Sequence, residues 1–113
     1  MKISRINSSG YIWGNNCEGY ILSDSPELNV KEEVMPPHTK EKLHRHDRAQ
    51  QFFYILKGKA VFHIDGIEEI LNANEGITIK SGQKHFIENK SEHNLEFLVI
   101  SQPNTQGDRI DLE

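Results

Sequence analysis

With one cysteine, Cys17, the chain can close no internal disulfide, so packing must hold its 113 residues together, aided by a metal or a second subunit. A lone cysteine in such a chain reads most simply as a small buried hydrophobe. Long apolar runs are also missing. The longest, Phe52 to Leu56, falls far short of the ~20 residues a membrane-crossing helix needs. The start, Met1-Lys2-Ile3-Ser4-Arg5, lacks the apolar core of a signal peptide. The expectation is a soluble, cytoplasmic protein with no membrane partner. Positive charge is not in excess either: 13 Lys plus Arg face 17 Asp plus Glu, a formal net charge of -4. A nucleic-acid partner, which needs a basic face, is thereby disfavoured. No stretch of convincing length has helical periodicity, and there are no repeats.

What the chain does have is a succession of short β-rich runs separated by turn residues. Leu28 to Met35 partly alternates apolar and polar and stops at Pro36-Pro37. Gln51 to Lys57 is apolar at both phases, Ala60 to Ile64 follows Gly58, and Asp65-Gly66 signals a hairpin into Glu68 to Leu71. Gly76 to Ile79, Lys84 to Asn89 and Leu95 to Ile100 complete the series. Before them, Gly10, Gly14 and Gly19 punctuate a segment carrying Tyr11, Trp13 and Tyr20. Many short strands in one domain mean a sandwich or barrel. The expected organisation is a single domain, 1–113, with a barrel core over 28–102, amino-terminal strands over 1–27 forming a lid or edge, and a surface tail over 103–113. If Gln51 faces the interior, Phe53 and Ile55 follow it, while Phe52, Tyr54 and Leu56 face out. That outward stripe needs a cover, and a homodimer interface would supply one.

The chemistry is concentrated in His44-Arg45-His46. Side chains two apart on a strand share a face, so this pair can share a metal ion, and His85 at the start of a later strand can add a third imidazole. The surrounding spacing resembles the cupin superfamily, whose first motif runs Gly, five residues, His-x-His, three or four residues, Glu, six residues, Gly. His44, His46, Gln51 and Gly58 fall on it, with His38 at the first glycine position. The second motif runs Gly, five residues, Pro-x-Gly, two residues, His, three residues, Asn. Gly82, His85 and Asn89 match its second half, while Asn74 and Lys80 replace its first Gly and its Pro. The segment Trp13-Gly14 through Cys17, together with Gly107-Asp108-Arg109, is similar to small single-domain bacterial cupins.

This resemblance implies an all-β, single-domain cupin β-barrel of the double-stranded β-helix or jelly-roll type. It implies metal ligation by His44, His46 and His85, with Gln51 in place of the family's glutamate. A neutral amide leaves the charge of a divalent ion undiminished, so the site should favour a small anionic molecule. The donor set suits zinc, nickel or iron(II) better than manganese. With iron, three histidines resemble cupin dioxygenases; with zinc or nickel, isomerase, lyase or cyclase chemistry fits. The alternative is a non-catalytic small-molecule or sugar-binding cupin with a structural metal or none. No acidic residue in the matched motifs is expected to act as general base. His63 and His93 lie outside both motifs, and Lys80 and Lys84 are read as solvated.

Overall fold

The computed structural model describes all residues, 1–113. Apart from one 3-10 turn at Arg5–Asn7, its regular structure is entirely β. The strands are β1 (Ser9–Trp13), β2 (Cys17–Asp24), β3 (Asn29–Met35), β4 (Thr39–Lys40), β5 (His44–His46), β6 (Gln50–Lys57), β7 (Ala60–Ile64), β8 (Ile67–Leu71), β9 (Gly76–Ile79), β10 (His85–Asn89), β11 (Leu95–Gln102) and β12 (Arg109–Asp111). One sheet has the order β1-β2-β3-β11-β6-β9 and the other β12-β5-β10-β7-β8, with β4 also on β10. From β6 onward the chain passes back and forth between the sheets, so that β11 lies between β3 and β6 and β10 between β5 and β7. This is a two-sheet β-sandwich, as the strand pattern implied, in the jelly-roll arrangement that the family resemblance implied.

Local chemistry sets the turns. Asp65 (φ 50°) and Gly66 (φ 84°) both adopt the left-handed conformation of a two-residue hairpin turn, joining β7 to β8. His38 (φ 60°) and Asn74 (φ 69°) are also left-handed. These are the two motif glycine positions at which this chain has another residue, so the backbone bend survives although the glycine does not.

The core lies between the sheets. Met35, Phe53, Ile55, Phe62, Ile79, Ile87, Leu95 and Phe97 are buried together, and Phe53 meets Phe62 edge-on with ring centroids 5.1 Å apart. Along the inner face of the first sheet the cross-strand partners change character. Met35 lies opposite Leu95, then Lys31 opposite Val99, then Asn29 opposite Ser101, which in turn faces Gln51. One end of the interior is therefore apolar and the other polar. The alternation expected of β6 holds: Gln51, Phe53 and Ile55 are buried, while Phe52 and Leu56 are exposed and Tyr54 is half-buried.

At the chain ends the structure differs from a core with a loose tail. Residues 103–113 lie largely on the surface, but Arg109–Asp111 is a strand paired with β5, Arg109 opposite His46 and Asp111 opposite His44. A three-residue strand without apolar alternation leaves no periodic signal; it forms because the edge of β5 offers unpaired backbone groups. At the other end β1 and β2 continue the first sheet, and Cys17 is wholly buried in the core, as the hydrophobe reading requires.

Candidate metal centre

Register brings the three histidines together. His44 and His46 project from the same side of β5, and His85 of β10 lies directly opposite His44. Ring centroids are 5.2 Å apart for His44 and His46, 4.3 Å for His44 and His85, and 5.8 Å for His46 and His85. One ring nitrogen from each lies within 4.8 Å of the others, a spacing at which the three can hold one metal ion. All three are buried.

Two of the three rings are held from behind. Nδ1 of His44 lies 2.7 Å from the Lys42 carbonyl and Nδ1 of His85 lies 2.8 Å from the Gln83 carbonyl. A carbonyl can only accept, so both Nδ1 atoms carry the proton and both Nε2 atoms keep the lone pair that a metal needs. Burial, the dominant effect, lowers the pKa of His44 to about 3 and that of His46 to about 4, and lowers that of His85 as well. The metal-free trio is therefore neutral near pH 7, the state required for ligation.

Gln51 comes from the opposite sheet. Its Nε2 donates to Oγ of Ser101, its cross-strand partner, at 3.1 Å, which fixes the amide with Oε1 free. Oε1 of Gln51, Nε2 of His85 and Nδ1 of His46 are all buried without a hydrogen-bond partner. Buried lone pairs of this kind are costly unless something meets them, and a cation would. The donor set thus fits a divalent metal.

The loop between His46 and Gln51 is pinned from the carboxyl-terminal segment. Buried Asp108 accepts hydrogen bonds from the N–H groups of Asp47, Arg48 and Ala49 at 3.2, 3.1 and 2.9 Å. Burial alone would raise the Asp108 pKa, but these bonds bring it below the ordinary carboxylate range.

A cavity of about 230 Å³ opens beside His44, His46 and Gln51. Phe53 and Val99 supply its apolar lining, while Lys31, Glu33, Glu41 and Arg109 bring charge into it. Of these acids Glu41 lies within the span of the first motif, though not on one of its defined positions. Burial and the neighbouring Glu33 raise its pKa to about 8. Arg109 reaches the cavity through the β5–β12 pairing, and Glu33 faces inward from β3 beside Lys31, a period-two relation present in the sequence. The remaining histidines stay out: His38 is exposed beside Glu92, His93 is exposed, and His63 is half-buried, stacked on Phe86 with its Nε2 3.0 Å from Glu88.

The cupin domain family model matches residues 31–101, from the Lys31 strand through Ser101. The chain is a cupin. Among curated proteins this cupin is 36% identical over 66 residues to an oxalate-binding protein of Thermotoga maritima, a match covering 58% of this chain and 54% of that one. The chain spans about half the length of the curated relatives it matches. Among solved structures, a predicted oxalate decarboxylase of Thermotoga maritima superposes with TM-score 0.84 at 24% identity, covering 92% of this chain and 100% of that chain. The polyketide cyclase RemF of Streptomyces resistomycificus superposes with TM-score 0.86 at 17% identity, covering 100% and 85%. At such identities the structural likeness establishes the fold alone.

Proposed function

We propose that His44, His46 and His85, with Gln51 as a neutral oxygen donor, hold a divalent transition metal (zinc, nickel or iron), and that a small anionic carboxylate binds beside it. The observation that carries this reading is the convergence of the three histidine ring nitrogens within 4.8 Å, with buried Nε2 of His85 and Oε1 of Gln51 unpartnered. Three imidazoles and an amide bring no negative charge, so a bound dication keeps its full attraction for an anion. Lys31 and Arg109 add to it, and a 230 Å³ cavity is smaller than the ~300 Å³ lower end typical of drug-sized ligands. When bound, the metal would act as a Lewis acid on a carboxylate or carbonyl oxygen. The chain's own groups attract the anion through Lys31 and Arg109 and exclude water with Phe53 and Val99.

Metal analysis of untagged protein and of His44→Ala tests the site. Near-stoichiometric metal in the wild type and about tenfold weaker binding in the variant are expected; equal content in both would reject it. Titration calorimetry with oxalate then tests the ligand class, and binding only to the metal-loaded wild type is the supporting outcome.

A second reading, a binding protein without turnover, draws on the name of the Thermotoga relative, which refers to binding. Ligand-induced thermal stabilisation without turnover on a panel of small carboxylic acids would favour it. The exposed Phe52 and Leu56, with the Tyr54 ring 6.3 Å from that of Phe52, support a homodimer through the outer face of β6. Light scattering that gives a monomer at micromolar concentration would remove that proposal.

A further inference from the structure

The cavity wall away from the histidines has a second constellation. Glu33 and Glu41 both line it, although neither falls on a motif position. Tyr11 crosses β2 and places its hydroxyl 2.5 Å from Oε2 of Glu33. It can do so only because residue 19 is glycine: a Cβ there would stand 2.0 Å from the Tyr11 ring. Glu41 is anchored differently. Its Oε1 accepts the N–H of Ile87 at 3.1 Å, its Oε2 lies 3.8 Å from Nη1 of Arg109, and its side chain is 10% exposed.

We infer that Glu33 and Glu41 form the proton-handling pair of this cavity, Glu33 as acceptor and Glu41 as donor, acting on an enolizable small carboxylic acid bound beside the histidines. The inference rests on the carboxylate-binding reading above. Two carboxylates in one poorly solvated space cannot both ionise near neutral pH. Their surroundings divide the roles. Burial raises the pKa of both, but the Tyr11 hydroxyl and Lys31 oppose that rise at Glu33, whereas the charge of Glu33 adds to it at Glu41. Arg109 favours ionisation of both, Asp111 opposes that of Glu41, and His44 and His46 on the adjoining wall are neutral.

In the step this permits, a C–H bond next to a carboxylate breaks and its proton passes to Oε1 of Glu33. The bonding pair moves onto the substrate carboxylate, giving an enediolate. Glu41 then delivers its Oε2 proton to the same carbon, and the enediolate pair forms the new C–H bond. The total charge of pair and substrate is unchanged, and proton return from Glu33 to Glu41 through water restores the start.

The unpartnered Oε1 of Gln51, buried in the same cavity, marks it as a ligand site rather than a structural cluster of acids. A purely structural Glu41 would satisfy the Ile87 N–H and face Arg109 at 3.8 Å, and glutamine keeps the first of these contacts. Glu41→Gln and Glu33→Gln are therefore the variants to use.

Infrared titration of the metal-free protein tests the pair itself. A protonated-carboxyl band should persist at neutral pH, vanish in Glu41→Gln, and titrate at lower pH in Glu33→Gln. An unchanged band in either variant overturns the pair. For the role, malonate is incubated with zinc-loaded protein in deuterated water, and loss of its methylene signal is followed by proton NMR. Wild-type protein should exchange the methylene about a hundredfold faster than either variant, with all three retaining their zinc. Malonate bound, by calorimetry, but exchanged no faster by wild type than by Glu33→Gln overturns the inference. Malonate unbound while the infrared pair persists is instead a failure of the carboxylate-binding reading, and it removes the donor and acceptor assignment with it.

Discussion

Gln51 occupies the place of a carboxylate, and its surroundings show why it is a stable replacement. The amide N–H reaches Ser101, a bond that an ionised glutamate could make only by accepting the serine hydroxyl. Gln51→Glu should therefore fold normally, bind a divalent metal more tightly by about tenfold or more, and bind oxalate more weakly, because one unit of the metal's charge is cancelled. Calorimetry with zinc and then oxalate would check both directions; unchanged oxalate affinity would show that the metal's charge does not set ligand choice. At Gly19 the expected effect is steric. Gly19→Ala puts a methyl into the Tyr11 ring and should destabilise the protein by roughly 1–3 kcal/mol, as overpacking does. Urea unfolding measures this loss.

Among the elements, the β5–β12 pair has the largest consequence for the site. β5 is three residues long and carries two of the three histidines, so its position depends on its neighbours. β10 fixes one edge and β12 the other, while Asp108 ties the following loop through three backbone N–H groups. Asp108→Ala should leave those donors unpaired, at a cost of about 1–3 kcal/mol, and should reduce metal occupancy by loosening the path from His46 to Gln51. Denaturant unfolding alongside metal analysis separates the outcomes. Lost stability with undiminished metal binding would mean that β10 alone suffices to place His46. Little of this element was legible in sequence, since Arg109-Ile110-Asp111 has neither length nor alternation. β6, β7, β9 and β10 were legible because apolar period, glycine turns and the Asp65-Gly66 hairpin all agree there.

For the molecule as a whole, opposed titrations should produce a stability maximum in the metal-free protein. The histidines have folded pKa values below their unfolded value near ~6.5, so the unfolded chain binds more protons between the two, and stability is lost as pH falls from that value toward about 3 for His44 and about 4 for His46. Glu41 acts in the other direction. Its pKa is raised from 4.5 to about 8, so the folded state holds the extra proton and stability is lost as pH rises through that range. Below ~6.5 His44 and His46 outweigh Glu41, and above it the histidine contribution is complete while Glu41 still titrates, which places the maximum near that pH. Denaturant unfolding across pH 4–9 should trace this profile, and Glu41→Gln should flatten its alkaline side; an unaltered alkaline slope would contradict the assignment.

The sequence by itself determined the all-β fold, the histidine trio, the inward face of Gln51 and the outward stripe of β6. Those features depend on spacing within a strand and on motifs in which each residue's face follows from its neighbours two positions away. Only the tertiary structure brought Glu33, Glu41 and Arg109 to one cavity and the Tyr11 hydroxyl onto Glu33. They come from four separate stretches, and their meeting is set by cross-strand register and by the absence of a side chain at Gly19, neither of which has a local signature in the chain.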